Sequence, residues 1–315
     1  VEYIRIHNGY IETNTDSFCH DQFQIPEWTY GWDLLTSHYP ASENFADSFE
    51  AVIGREVPKE MPIYAQTDTR NRELTGYGRM NLDQGTSTYT ALSARNRLYL
   101  YNYYYMRRTY AAAQSLFHIY RNILTERCLQ TPGPTTFCDF SRETAASALA
   151  FADTFAKHLP TGFAYMGICQ QEEITELTKR FFQTKPYAHI PQVYYPELSA
   201  IDSEEQRRRN QYAGTVIFNV SNLFGSISIP ELQDIAAQIN HWVTAYPRNQ
   251  YILLYRDDAG TCANLHAYRT FCNYLCKIFH PLKEHMPFYE KFYYHTDGKN
   301  IPPASTYLYG ILVSR

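Results

Sequence analysis

The stretch TFCDFSRETA, residues 136–145, decides the fold that this sequence predicts. Thr136–Phe140 has the apolar composition of a buried strand, and the Ala-rich segment Glu143–Lys157 has the composition of a helix. An acidic residue, Asp139, lies where the strand passes into the turn. A strand that runs through a short turn into a helix is the opening unit of a mostly parallel α/β sheet.

Strand and helix patterns continue to alternate after this unit. The alternation predicts right-handed crossovers in a mostly parallel sheet, and two closing strands without a helix between them predict an antiparallel edge. The predicted elements are, in order, strand Phe163–Cys169, helix Glu172–Phe182, strands Ile190–Tyr195 and Thr215–Val220, helix Pro230–Ala245, strand Tyr251–Tyr255, helix Cys262–Phe279, and strands Tyr289–His295 and Thr306–Val313.

The residues before the alternation divide into two regions. Short apolar stretches such as Glu50–Ile53 are separated by Pro, Asn, Asp and Gly, which predicts loops and short strands over residues 1–88. Tyr89–Arg127 contains no Gly or Pro, so we expect a long helix or two helices in succession, ended by a Pro-Gly-Pro stretch. The chain is therefore expected to consist of an N-terminal extension, 1–88, and one domain, 89–315.

Composition narrows the classes of function. The net charge is −4 over 315 residues, so any contact with nucleic acid must come from a local basic patch. The 29 tyrosines are expected either in the core or as stacking platforms for bases. No apolar run approaches the roughly 20 residues of a membrane span, so no membrane partner is expected.

The spacing of the cysteines and histidines matches neither a disulfide pattern nor a metal-binding motif. Seven cysteines without paired spacing indicate a reducing, cytoplasmic environment. The eleven histidines show no metal-binding spacing, so no metal is expected. Asp257-Asp258 follows a predicted strand, where it would either cap the next helix or hold a metal ion.

The order of elements over residues 89–315 resembles that of class I S-adenosylmethionine-dependent methyltransferases. The resemblance implies a Rossmann-like sheet and S-adenosylmethionine as cofactor. That family has an acid at the end of its first strand, followed by glycines at alternate positions. Asp139 matches the acid, whereas the glycine positions hold Ser141, Glu143 and Ala145.

Glu143 would place a negative charge near the carboxylate of that cofactor. We therefore expect Arg107 or Arg108 to neutralise it, because a buried charge without a partner is too costly. At the end of the second strand, the resemblance assigns the ribose hydroxyls to Cys169 or Gln170. The cofactor-binding residues that the resemblance implies are Arg107, Asp139, Phe140, Ser141, Glu143, Cys169, Gln170 and Ser221.

Two further stretches are similar to messenger-RNA cap guanine-N7 methyltransferases. The fourth strand ends in Ser221-Asn222-Leu223-Phe224, where that family has Ser, a variable residue, Gln and Phe. The helix before the first strand contains Asn102-Tyr103, which matches an Asn-aromatic pair, and Arg107 or Arg108 would stand for a family Lys. The substrate-binding residues implied are Asn102, Tyr103, Tyr104, Asn222 and Phe224, with no residue acting by acid–base chemistry.

The resemblance also implies partners and a setting. Capped RNA or a GTP-like cap would be the substrate, and proteins of a replication or capping complex would be partners in the host cytoplasm. A tyrosine-rich chain that begins at Val1 is similar in style to a domain released from a nidovirus-type polyprotein.

Two alternatives stay open at this point. One is an inactive, methyltransferase-like RNA-binding or scaffold protein, favoured by the glycine-free loop with Glu143. The other is an ADP-ribosyltransferase using Arg5 and Ser87-Thr88, although no Glu-x-Glu strand supports it.

Overall fold

The structure is a computed structural model. It describes residues 4–7, 10–13, 42–56, 94–141, 143–159, 162–201, 214–224, 227–258, 262–275, 279–281, 288–292 and 305–314. Ser87-Thr88 lies outside these residues, as does the side chain of Arg5.

The described strands form one sheet of ten. The helices are α1 (Glu43–Phe49), α2 (Ala94–Ile119), α3 (Arg121–Leu129), α4 (Ala146–Thr154), α5 (Glu172–Phe182), α6 (Ile229–Ala245) and α7 (Cys262–Tyr274). The strands are β1 (Ile4–His7), β2 (Tyr10–Thr13), β3 (Thr135–Asp139), β4 (Phe163–Ile168), β5 (Gln192–Tyr195), β6 (Thr215–Asn219), β7 (Gln250–Asp258), β8 (Phe279–Pro281), β9 (Phe288–Phe292) and β10 (Ser305–Ser314).

The strand order is β1-β2-β9-β10-β7-β6-β3-β4-β5, with β8 paired to β10. Strands β5, β4, β3, β6 and β7 run parallel, whereas β10 pairs antiparallel with both β7 and β9. This is the predicted Rossmann-like sheet of the class I methyltransferase type, parallel with an antiparallel closing hairpin. The fold-class prediction is therefore confirmed. Strands β1 and β2 extend the same sheet from β9.

Helices cover both faces of the sheet. One face packs against α2, α4 and α5 around Phe117, Phe137 and Phe151, all at most 1% exposed. The other face packs against α6 and α7 around Phe218 and Trp242. Both faces of β3, β4 and β6 are buried, which explains why these segments are continuous apolar runs in the sequence, whereas the edge strand β5 is half-buried.

Helices α5 and α6 show why these segments are helical. In α5 the buried positions follow a helical spacing, Glu172 and Glu173 begin the helix, and basic residues end it, which suits the helix dipole. Helix α6 begins at a capping box in which Ser228 and Glu231 bond each other's backbone. The expected boundaries of α5 are those observed, and the break between α2 and α3 confirms two helices in succession.

Three expectations about local structure were wrong. Glu50–Gly54 forms a π-helical turn instead of a strand, and it buries Val52 and Ile53. The helix from Cys262 ends at Tyr274, and Phe279–Pro281 adds a strand to β10. Asp257-Asp258 belongs to β7 and does not follow it, and Asp257 Oδ2 accepts from the backbone N–H of Phe224 at 3.0 Å.

The turn between β3 and α4 adopts a conformation that favours glycine. Ala145 precedes α4 with φ 46°, in the left-handed region. For a residue with a Cβ this conformation costs roughly 1–2 kcal/mol. The backbone conformation of Ala145 therefore carries an energetic cost that a glycine at this position would relieve.

We expect Ala145→Gly to be far less destabilising than Ala150→Gly. Both residues are fully buried, so each change removes one methyl, worth about 1 kcal/mol. Glycine at 145 also relieves the left-handed strain, whereas glycine inside α4 adds about 1 kcal/mol of helix penalty. Urea unfolding should leave Ala145→Gly within about 1 kcal/mol of the wild type, with Ala150→Gly about 2 kcal/mol below it. Equal losses would contradict the strain.

Candidate functional site

The carboxyl ends of β3, β4 and β6 meet at one edge of the sheet. Asp139, the last residue of β3, lies beside Gly167 of β4 and Asn219 of β6 in the parallel register. The turns that follow these strands therefore converge. Ligands of open α/β sheets bind at such an edge, which makes it the candidate site.

Asp139 is bonded by donors from three segments. Its Oδ1 accepts from the backbone N–H of Ser141 at 2.9 Å and from Asn219 Nδ2 at 2.8 Å, and its Oδ2 accepts from the Tyr165 hydroxyl at 3.4 Å. Ser221 Oγ donates to Asn219 Oδ1 at 2.6 Å, which fixes the orientation of that amide. All five residues are buried, so this network joins the ends of the three strands.

Burial changes the titration of Asp139. It raises the pKa of this carboxyl from 3.8 to about 6, and hydrogen bonds from Ser141 and Asn219 limit the rise. The folded protein thus holds the proton more tightly than the unfolded chain does. The stability that Asp139 contributes is complete below about pH 4 and is lost as the pH rises through about 6.

We expect Asp139→Asn to remove this pH dependence. The amide keeps an oxygen for Ser141 and Asn219 and has no proton to lose. Since a pKa rise of about two units corresponds to roughly 3 kcal/mol, the free energy of unfolding of the wild type should fall by about that much relative to the variant between about pH 4 and 7. Urea unfolding at each pH measures the difference. A difference that stays constant with pH would contradict the raised pKa.

Glu143 forms a buried ion pair with Arg256. The Nη2 atom of Arg256 lies 2.9 Å from Glu143 Oε2, and the two side chains are 0% and 6% exposed. Thr109 Oγ1 donates to Glu143 Oε1 at 3.2 Å, and Asn222 Nδ2 donates to the same oxygen. Arg256 Nη2 also lies 3.4 Å from Ser147 Oγ. The pair therefore ties the turn after β3 to α2, α4, β7 and the turn after β6.

The cation that neutralises Glu143 is Arg256, and not Arg107 or Arg108 as the sequence predicted. The guanidinium of Arg107 lies 4.5 Å from the centre of the Phe49 ring, on α1. The ion pair spans 113 positions of the chain, so no local spacing could have shown it. Its one signal in the sequence is a single arginine directly after the apolar run Tyr251–Tyr255.

We expect the Glu143–Arg256 pair to be strongly coupled. Glu143→Gln or Arg256→Met alone should cost about 3–5 kcal/mol of unfolding free energy, because each leaves one buried charge uncompensated. The double variant should lose much less than the sum of the two. As a control, Glu176→Gln at the exposed Glu176–Lys179 pair, 59% and 39% exposed, should cost under about 1 kcal/mol. Additive losses in chemical unfolding would contradict the coupling.

Buried polar atoms beside this pair lack a hydrogen-bond partner within the described part of the chain. They are Thr144 Oγ1, Asn222 Oδ1, and Nε and Nη1 of Arg256. Burial lowers the pKa of Arg256, but the Glu143 carboxylate outweighs burial and the pKa is raised, so the guanidinium keeps its charge. Unpartnered buried groups are costly, and a polar ligand would satisfy these atoms.

The remaining predicted cofactor residues differ in accessibility. The Phe140 ring is buried in the core at the start of this turn, with its centre 6.2 Å from that of the Phe218 ring. Cys169 is half-buried and its Sγ accepts from the backbone N–H of Gln171 at 3.4 Å. Gln170 is exposed. Cys169 and Gln170 therefore form the accessible side of this edge.

Two predicted substrate residues cannot contact a base in this structure. Asn102 is 2% exposed and its Nδ2 donates to the backbone oxygen of Leu98 at 2.8 Å. The Phe224 ring is buried edge-to-face against three aromatic rings of the core. Tyr103 packs partly buried against the core, and the side chain of Tyr104 lies outside the described structure.

Searches for relatives by sequence found none: no family model and no curated protein matches this chain. Solved structures with a similar fold include TrmN from Thermus thermophilus, at 11% identity and a TM-score of 0.36, over 67% of this chain and 52% of that one. Magnesium protoporphyrin IX methyltransferase from Synechocystis PCC 6803, with bound SAM, has 11% identity and a TM-score of 0.36, over 80% of this chain and 93% of that one. A human methyltransferase 10 domain containing protein has 10% identity and a TM-score of 0.36, over 64% and 81%. This chain thus spans about half the length of TrmN.

These similarities are too distant to identify a family, so the fold class rests on the strand order itself. Among the described helices, none is long and apolar enough to cross a membrane. The described residues contain no group of three or more His, Cys, Asp or Glu placed to hold a metal ion.

Proposed function

We propose that this chain binds S-adenosylmethionine at the carboxyl edge of the sheet and transfers the methyl group to RNA. The observation that carries the proposal is the strand order β5-β4-β3-β6-β7-β10-β9, with an acid at the end of β3 and a left-handed turn into α4. Ligand binding at the edge of such sheets follows from their topology.

The polar atoms of the site fit the amino-acid end of this cofactor. The unpartnered Nε and Nη1 of Arg256 are donors for a carboxylate, and the Glu143 carboxylate is an acceptor for an ammonium group. Gln170 and Cys169 would face the ribose, for which an exposed amide offers both a donor and an acceptor. Asp139, Phe140, Ser141 and Ser221 would shape the turn, and Arg107 remains a proposed contact.

The bound cofactor supplies a methyl group that is already activated by the sulfonium charge. The chain has then to orient the acceptor in line with that methyl and to exclude water. Asp139 and Glu143 are both buried and hydrogen-bonded, so neither is an exposed proton acceptor. This arrangement fits an acceptor that has no proton to lose.

Guanine N7 of a messenger-RNA cap is such an acceptor, since it reacts through a lone pair. Tyr103 and Asn222 are the two half-buried candidates for contact with the cap, and Tyr104 belongs to the same proposal. Partners in a replication or capping complex and a cytoplasmic location are parts of this proposal too.

A second candidate function is a methyltransferase-like RNA-binding or scaffold protein without cofactor. The buried Glu143–Arg256 pair favours it, because these two side chains already bond each other. The pair lies at the turn where the methyltransferase family that the sequence resembles has glycines. The two candidates differ in whether S-adenosylmethionine binds at all.

Calorimetry with S-adenosylhomocysteine distinguishes them. We expect saturable binding and a rise in melting temperature, and we expect Gln170→Ala to weaken binding about tenfold through lost ribose hydrogen bonds. Gln183→Ala, also exposed but at the end of α5, is the matched control and should bind normally. Neither heat nor thermal shift at millimolar ligand would favour the scaffold.

Transfer of labelled methyl to RNA then tests the acceptor. Capped RNA should be labelled, whereas uncapped RNA of the same sequence and RNA whose cap is already N7-methylated should not. Tyr103→Ala, with folding checked by circular dichroism, should reduce transfer. Equal labelling of capped and uncapped RNA would exclude guanine N7 while leaving cofactor binding intact.

A further inference from the structure

A second cleft lies at the opposite edge of the sheet. This cavity of about 1050 Å³ opens where β3, β4 and β5 begin, and Pro134, Phe163 and Pro191 line its floor. Its walls come from the last part of α2, the end of α4 and residues 186–190. The five residues of β3 span roughly 16 Å, so this cleft is separate from the carboxyl edge.

One end of the cleft is cationic. Arg121, Lys157 and His158 are exposed and line it, and Arg121 Nη2 lies 3.2 Å from His158 Nε2. A guanidinium only donates, so Nε2 of His158 is the acceptor in this contact and Nδ1 is the ring's donor. Burial, followed by Arg121 and Lys157, lowers the pKa of His118 to about 4. The charges of Arg121 and Lys157 make the potential at this end of the cleft positive, which favours an anionic group.

The other end of the cleft is polar but not cationic. Asp153 Oδ2 accepts from the hydroxyls of Tyr110 and Tyr187, both at 2.7 Å, and Asn44 Nδ2 lies 3.4 Å from its Oδ1. This carboxylate is thus already engaged. Gln114 is 6% exposed and its Nε2 donates to the Tyr110 hydroxyl at 3.4 Å.

Gln114 Oε1 is the feature that points to a ligand. It is buried, belongs to a residue that lines the cleft, and has no hydrogen-bond partner among the described residues. Thr154 Oγ1 in the same lining is likewise unpartnered there. A buried acceptor of this kind requires a donor such as a sugar hydroxyl.

We propose that this cleft binds a phosphorylated sugar, the ribose phosphate of a nucleotide included. The phosphate lies against Arg121 and Lys157, with the Nδ1–H of His158 as a further donor, and a sugar hydroxyl donates to Gln114 Oε1. Charge-assisted bonds from such cations are the strong contacts to a phosphate. The cavity volume is that of pockets which enclose small ligands.

Calorimetry on the full chain tests this with ribose 5-phosphate, inorganic phosphate and ribose. Ribose 5-phosphate should bind at least about tenfold more tightly than either fragment, because only it engages both ends. Arg121→Gln with Lys157→Gln, both at exposed positions, should weaken it by about tenfold or more. Arg248→Gln, an exposed arginine outside the cleft lining, is the matched control and should bind normally.

Further ligands distinguish a sugar phosphate from a nucleotide as the ligand, and this cleft from the site at the carboxyl edge. Guanosine 5′-monophosphate at the affinity of ribose 5-phosphate assigns the cleft to the sugar phosphate alone, and tighter binding assigns it to nucleotides. S-adenosylhomocysteine has no phosphate and should not compete, whatever the outcome at the carboxyl edge. Failure of ribose 5-phosphate and the nucleotide to saturate at millimolar concentration would overturn the proposal. So would binding only to longer RNA, or unchanged binding by the double variant.

Discussion

The carboxyl edge of this sheet depends on the ion pair between Glu143 and Arg256. Two opposite charges can be buried together only where geometry is good and the remaining polar atoms are bonded. Here Thr109 and Asn222 complete the carboxylate, so one side chain draws together α2, the turn after β3 and the turn after β6. The left-handed Ala145 follows two residues later. The network thus anchors this turn, two residues before its left-handed position, to α2 and to the turn after β6.

The elements of the fold were predictable because their signals are local. Apolar residues at helical spacing located α5 to the residue, and apolar runs located β3, β4, β5 and β6 to within one or two residues. Strand β7 continues three residues past its predicted end. The site was less predictable because its contacts join distant segments. Arg256 comes directly after an apolar run within β7, and its partner depends on the crossover topology. Phe224 illustrates another limit, since an aromatic residue after a strand has the same local sequence whether it packs in the core or faces a base.

Many of the tyrosines are buried in the core, which composition alone could not distinguish from a role as stacking platforms. Among the described residues, eight of the eleven largest fully buried side chains are tyrosines, including Tyr255 and Tyr268, whose rings stack at 3.9 Å. A buried tyrosine ring brings a hydroxyl that needs a partner. Tyr110 and Tyr187 meet that need at Asp153, whose Oδ2 accepts from both hydroxyls at the second cleft. The core composition and the chemistry of the cleft therefore have a common cause.

The charge balance of the carboxyl edge also limits what can bind there. Glu143 and Arg256 together carry no net charge, and Asp139, with a pKa of about 6, is only partly protonated near neutral pH. A ligand bearing a single uncompensated negative charge would meet Glu143 and Asp139 as well as Arg256. A zwitterion presents one charge to each member of the pair and adds none, so the ion pair and the ligand together stay neutral. The Glu143–Arg256 pair carries no net charge, and neither does the zwitterionic end of such a ligand. Binding of that ligand at the carboxyl edge should therefore respond weakly to ionic strength. A phosphate at the cationic cleft should bind less tightly as the salt concentration increases. The two edges of one sheet are thus suited to ligands of different charge.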